Sequence, residues 1–155
     1  FCHFLLLWVK SPLQVLREMK RITRLGGWLI ALAEPDYGGR IDAPAELAEL
    51  GVLQETSLKM QGAETRIGRQ LNGLFHRLGL TEIECGVLGA QWITHSPTTE
   101  ADFELEWQTL TADLKGRISD ERLNQLRQVE AAARLTHERT LFIPTFYAIG
   151  RVGSD

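Results

Sequence analysis

Cysteine is scarce in this chain. There are two, Cys2 and Cys85, and they form no CxxC pair, so neither a disulfide scaffold nor a paired-thiol zinc or redox motif is available. A reducing compartment, the cytoplasm, is the expected location. The four histidines, His3, His76, His95 and His137, form no HxxxH or Cys/His cluster, so no metal site is expected. No apolar run is long enough to span a bilayer. The opening stretch Phe1–Val9 also lacks the basic lead and small-residue cleavage site of a signal peptide. A net charge of −3 and a pI near 5.8 remove the global basic field that nucleic acid or an anionic membrane would require. Internal repeats, low-complexity tracts and linkers are missing as well. With 155 residues, 44% of them hydrophobic, one domain over 1–155 is expected. The chain starts at Phe1 rather than Met, which suggests a portion of a longer protein.

What is present is strong local patterning. Residues 1–9 are almost all apolar and suit a strand covered on both faces. Ser11-Pro12 supplies a helix start, with Ser at the N-cap and Pro at the first helical position. Val15, Leu16, Met19 and Ile22 recur at helical spacing, and Gly26-Gly27 is placed to end the helix. Trp28 to Ala33 is a second apolar run, stopped by Glu34-Pro35. Strand, helix, strand predicts two parallel strands joined by a right-handed crossover. Arg17, Lys20, Arg21 and Arg24 lie on the same helix and read as a solvated face.

Asp36 to Asp42 is expected to be a loop, with Asp42 or Ala43 before Pro44 starting a helix over 44–60. That helix turns Leu47, Leu50, Leu53 and Leu58 inward, and Gly51 weakens its middle. Thr65 to Leu78 predicts a helix with Ile67, Leu71, Leu74, Phe75 and Leu78 on one face, stopped by Gly79. Thr81 to Leu88 alternates as a half-exposed strand does. Helices are expected over 100–115, with Phe103, Trp107, Leu110 and Leu114 inward, and over 119–139, with Leu123, Leu126, Val129 and Leu135 inward. Leu141 to Val152 forms the last strand, with Pro144 at an edge, a bulge or a strand start. The last two strands are expected to pair antiparallel around a helical hairpin.

The block from Cys2 to Asp36 resembles the second half of a class I S-adenosylmethionine-dependent methyltransferase. The residues that carry the resemblance are Cys2-His3-Phe4-Leu5-Leu6-Leu7-Trp8, then Pro12-Leu13-x-x-Leu16-x-Glu18-Met19-x-Arg21, then Gly26-Gly27 and the strand Trp28 to Ala33. The resemblance implies an α/β fold: a partial doubly wound, Rossmann-like sheet of parallel strands followed by an antiparallel C-terminal strand. Helical insertions are placed at about 40–64 and 93–140. It implies S-adenosylmethionine as cofactor, with Cys2, His3 and Phe4 lining its cleft. Asp36, Tyr37 and Arg40 are implied to face a small-molecule substrate, Arg40 as a charged fork for a carboxylate or phosphate. The chain departs from the family in lacking the glycine-rich strand-to-helix turn and the acidic residue that holds the cofactor ribose. The same gap argues against a nicotinamide-binding domain.

Methyl transfer asks mainly for alignment, because the sulfonium is already activated. Where the acceptor needs a base, His3 and Tyr37 are candidates, with Asp36 and His95 beside them. Trp92 and Trp107 are candidate walls of an apolar pocket, though tryptophan at helical spacing is more often core. Two functions are therefore expected. One is methyl transfer to a small molecule by a parent protein of which this is the C-terminal part, inactive by itself. The other is a non-catalytic fragment that assembles, as a homodimer for example, through the exposed edge of its first strand.

Overall fold

The computed structural model describes residues 1–89 and 100–153, so His95 and Trp92 lie outside the described residues. The chain divides into two compact units. The first gathers Phe1–Gly39, Gly62–Gly89 and the described residues from Ile143 onward. The second gathers Arg40–Gln61 and the described residues up to Phe142. Mixed α/β structure is found, with parallel and antiparallel pairing in one sheet.

The first unit is built on strands β1 (Cys2–His3), β2 (Trp28–Pro35), β4 (Thr81–Val87) and β6 (Thr145–Arg151), in the order β1-β2-β6-β4. β1 and β2 are parallel, joined through helix α1 (Pro12–Ile22), while β6 runs antiparallel to both β2 and β4. The expected antiparallel final pair is therefore present. Helix α3 (Leu71–Arg77), entered through a 3₁₀ turn at Gly68–Gln70, buries Ile67, Leu71, Leu74, Phe75 and Leu78 as its spacing predicted. Gly79, with φ +65°, ends it.

Several local expectations need correction. The first strand is two residues long, not nine: it ends where Phe4 takes a φ of +50°, and Leu6–Trp8 form a 3₁₀ turn. The run looked like a strand because Leu6 and Leu7 are fully buried. Their amides, however, donate to the side chain of Glu34, far along the sequence, rather than to a ladder. Ser11 sits at the N-cap of α1, but its backbone carbonyl, not its hydroxyl, accepts from Gln14 and Val15. The helix stops at Thr23, whose amide donates to the Met19 and Lys20 carbonyls and whose hydroxyl donates to Met19 O at 2.7 Å. Gly26, at φ +73°, instead shapes the turn into β2. Ile22 is 72% exposed rather than inward, being the last residue of α1.

β2 continues two residues past its expected end at Ala33. Its pairing with β6 shifts between Ala31 and Glu34, and Ala33 there has a φ of +56°. This bulge re-phases the strand: Leu29 and Ala31 alternate as buried positions, and Glu34, three residues beyond Ala31, is buried too.

The second unit contains helices α2 (Ala48–Met60), α4 (Glu100–Leu114) and α5 (Asp120–Leu135), and a two-stranded antiparallel sheet of β3 (Ile41–Ala43) and β5 (Thr140–Phe142). That sheet was not expected. Asp36 to Asp42 reads as loop, and the 141–152 run reads as one strand, whereas Pro144 separates β5 from β6. Pro144 thus lies just ahead of a strand start, one of its expected positions. Asp42 belongs to β3 and starts no helix; a 3₁₀ turn at Ala45–Leu47 leads into α2. Ser119 caps α5 as expected, its hydroxyl accepting from the Arg122 amide. Leu47, Leu50, Trp107, Leu114, Leu123 and Leu126 form the buried core, and Trp107, 3% exposed, also lines a cavity with Leu114 and Leu123. Leu135, at the end of α5, is 84% exposed, contrary to expectation.

No helix among the described residues is long and apolar enough to cross a membrane.

Candidate functional site

In an open α/β sheet, ligands lie outside the carboxyl ends of parallel strands. In the first unit those ends belong to β1 and β2; β1 stops at His3, beside Leu32, and β2 runs on to Pro35. Cys2 and His3 pair with Ala31 and Leu32, and the Phe4 amide donates to Leu32 O at 3.0 Å.

One side chain organises the turn after β1. The fully buried Glu34 carboxylate accepts from three successive amides. Oε1 takes Leu5 and Leu6, each at 3.0 Å, and Oε2 takes Leu6 at 3.1 Å and Leu7 at 3.3 Å. Without it, this tight turn would bury unpaired donors. A carboxylate clasp of this kind replaces a strand's ladder with a rigid loop. It also holds Phe4 in the left-handed region, beside Ala33 in the same region on β2. Each such residue costs about 1–2 kcal/mol. Strain kept just after β1 and at the adjoining bulge of β2 marks a position that the rest of the unit holds in place.

The clasp divides this stretch. Leu6 and Leu7 go inside, while Phe4 and Leu5 stay 41% exposed and Trp8 45%. His3 is exposed beside them. His3 and Phe4 are thus brought together at the lip. Cys2 does not fit its expected role as a cofactor contact, because its side chain is buried. Burial and the nearby Glu34 charge push its thiol up to about 11.

Asp36 does not fit its expected substrate role either. It is buried, and both carboxylate oxygens are taken by Arg69, with Nη2 to Oδ1 at 2.8 Å and Nε to Oδ2. The Asp36 amide donates to Pro144 O at 2.8 Å. The pair fastens the end of β2 to the start of α3. Gly68 makes that approach possible, since a Cβ there would lie 2.7 Å from Glu34 O and 2.6 Å from the Phe146 ring. Tyr37 begins a 3₁₀ turn, half-buried, with its amide donating to Thr65 O.

Arg40 belongs to the second unit and is committed there. Its Nε and Nη2 hold Asp42 at 2.6 and 3.0 Å, its Nη1 holds Gln54 at 2.6 Å, and its side chain is 7% exposed. It is therefore not the open fork expected for a substrate anion. Sequence reasoning also missed what Glu34 and Arg69 do. Glu34 was legible as a polar break at a strand end, but its partners lie 27–29 residues away.

A cavity of about 310 Å³ beside Arg69 is lined by Leu71, Asn72, Cys85, Gly86 and Phe146. Burial and Glu84 raise the Cys85 pKa, and a 2.6 Å hydrogen bond to Glu84 raises that of Tyr147. Both groups therefore stay protonated at neutral pH and offer no activated nucleophile. No group of three or more His, Cys, Asp and Glu able to hold a metal ion occurs among the described residues.

A comparison with protein-family models finds no match for the chain, and a comparison with curated proteins finds none either.

Proposed function

We propose that this chain is the C-terminal part of an S-adenosylmethionine-dependent methyltransferase that acts on a small molecule, with a partial doubly wound sheet of the Rossmann-like kind. The observation that carries the reading is the end of the parallel pair. A crossover places β1 beside β2, and the Glu34 clasp fixes His3 and Phe4 at the lip where such a sheet takes its ligand. The antiparallel β6 agrees with the same resemblance.

The residues present fit one side of that cofactor. Phe4 offers an exposed aromatic face to an adenine ring or a sulfonium cation. His3 is exposed beside it and is the nearer of the two candidate bases to the strand end; Tyr37 follows β2. No carboxylate here can take ribose hydroxyls, because Glu34 is filled by backbone amides and Asp36 by Arg69. On this reading the ribose carboxylate and the glycine-rich turn come from a segment N-terminal to Phe1. The cofactor supplies an activated methyl group when bound; the chain supplies a fixed lip and, for acceptors that need it, a base.

The test has two parts. The reading frame upstream of Phe1 is expected to encode a strand, a glycine-rich turn and an acidic residue about twenty residues on; their absence ends the proposal. In the protein encoded by that whole frame, Phe4→Ala is expected to weaken S-adenosylmethionine binding about tenfold in calorimetric titration. Unchanged affinity would remove Phe4 from the site.

A second reading, a non-catalytic assembling fragment, is favoured by the edge. Among the described residues β1 has one sheet neighbour, and Phe1, Phe4, Leu5 and Trp8 are all exposed around it. Light scattering that shows a dimer of residues 1–155, lost on Phe4→Lys, supports it. A monomer at high concentration rejects it.

A further inference from the structure

The first unit carries a second concave site, at the opposite end of its sheet. There the C-terminal turn of α1, the end of α3 and the end of β6 enclose a groove of about 410 Å³. Its cationic lining is Arg17, Lys20, Arg21 and Arg77; Leu25, Leu78 and Val152 add apolar surface. Arg17, Lys20 and Arg21 fall at i, i+3 and i+4 and so share one face of α1. Arg77 reaches the same space from the last residue of α3. The groove precedes Trp28 at the amino end of β2, whereas His3 and Phe4 lie at the carboxyl ends of β1 and β2.

Among the described residues no carboxylate lines this groove, in a chain whose net charge is −3. Glu18 holds Arg21 Nε at 2.8 Å through one exposed pair. Lys20 is fixed in place, its ammonium donating to Leu78 O at 2.8 Å, which ties α1 to the end of α3 and leaves two further N–H donors. Arg77 donates from Nε to Gly73 O, which leaves its two terminal nitrogens for other partners. Four like charges around one concavity repel one another, and an anion placed among them relieves that repulsion.

We propose that this groove binds the phosphate group of a small phosphorylated ligand. Phosphate suits the charge set better than a carboxylate. It carries up to two negative charges and enough acceptor oxygens to meet several guanidinium forks together with the Lys20 point charge. The apolar residues Leu25, Leu78 and Val152 give the organic part of an ester a surface to lie on, and the volume is within the range of small-ligand sites. The site is independent of the methyltransferase reading, since none of its residues belongs to the lip at His3 and Phe4.

The experiment is an amide-resolved NMR titration of the protein with phenyl phosphate and with inorganic phosphate. Alongside it runs sedimentation with vesicles containing phosphatidic acid, the other source of the same chemistry. Saturable shifts at residues 17–25, 77–79 and 152–153 in the millimolar range or below, with phenyl phosphate binding more tightly than inorganic phosphate, are expected. The double variant Arg17→Gln with Arg77→Gln, both at exposed positions, is expected to weaken binding at least about tenfold. Arg24→Gln, on the same stretch but outside the groove, is expected to leave it unchanged. Shifts that fail to saturate, equal binding by the double variant, or capture by vesicles with no response to phenyl phosphate would each overturn the proposal.

Discussion

The two units use charge in opposite ways. In the first, buried carboxylates act on the backbone and on element ends. Glu34 fills the amides of Leu5–Leu7, and Asp36 fastens β2 to α3 through Arg69, while exposed aromatics and a group of cations face outward. In the second, buried charges hold one another. Arg139 donates to Asp42 Oδ1 and to Glu130 Oε1, each at 3.0 Å, Arg40 holds the same Asp42, and Arg134 holds the same Glu130 at 2.9 Å. The side chains of Arg40, Asp42, Glu130 and Arg139 are each at most 7% exposed, so this is an interior ion network and not a screened surface one. The difference teaches where to look for chemistry: the first unit keeps polar and aromatic groups at its margins, and the second consumes its own.

The contrast breaks most sharply at Arg139. Arg139→Ala leaves Asp42 and Glu130 buried with fewer partners and removes donors to the Ala43 and Thr140 carbonyls. A loss of about 3–5 kcal/mol is expected, the cost of stranding a buried charge. Urea unfolding followed by tryptophan fluorescence, in a background with Trp8, Trp28 and Trp92 replaced by Phe, reads it, because Trp107 lies in the core of the same unit. A loss below about 1 kcal/mol would show that the network is not a principal support.

Glu34→Gln probes the other style of use. The variant keeps the shape but presents an NH₂ to an amide that already donates, so at least one of the Leu5–Leu7 amides loses its acceptor. A loss of about 3 kcal/mol is expected, smaller than for Arg139, with hydrogen exchange at Leu5, Leu6 and Leu7 accelerated beyond the global change. Exchange rates that rise only in step with global stability would mean that the clasp is replaced by other contacts.

How far the sequence foretold these two units depends on the range of the interactions. Helices α1, α3 and α5 were legible because Leu16, Leu71, Leu74, Leu123 and Leu126 repeat at helical spacing, which needs no knowledge of the fold. The parallel pair and the antiparallel β6 followed from the order of the elements. The β3–β5 sheet was not legible: it is two three-residue strands that lie about a hundred residues apart in the chain, too short for any periodicity. At the candidate site, the parallel pair and the placing of His3 and Phe4 beside it could be read, but not where either strand ends: β1 stops at His3 instead of residue 9, and β2 runs on to Pro35. The fates of Cys2, Asp36 and Arg40 could not be read, since each depends on a partner or a burial that only folding provides. Gly51 makes the same point. Its spacing reads as a weak point in α2, yet a Cβ there would lie 2.9 Å from Arg40 Cδ and 3.1 Å from Asp42 Oδ2, so the glycine admits the buried ion pair.

The smallest expected effect concerns the margin between the buried and exposed parts of the first unit, at Cys2. Its thiol is raised from 9.0 to about 11 by burial and by the neighbouring Glu34 charge. Below pH 9 both folded and unfolded chains keep the proton, so the full stability is present. Between pH 9 and 11 the unfolded chain releases the proton while the folded chain retains it. The folded state then binds more protons, and stability falls as pH rises, levelling off above about 11. The shift corresponds to a loss on the order of 2 kcal/mol across that window. Cys2→Ala lacks the group, so the stability difference between wild type and variant should shrink by that amount as pH climbs, whatever packing the substitution costs at neutral pH. Lysines and tyrosines titrate in both proteins and cancel in the difference. A pH-independent difference would mean that the thiol is open to solvent, which would return Cys2 to the exposed lip beside His3 and Phe4.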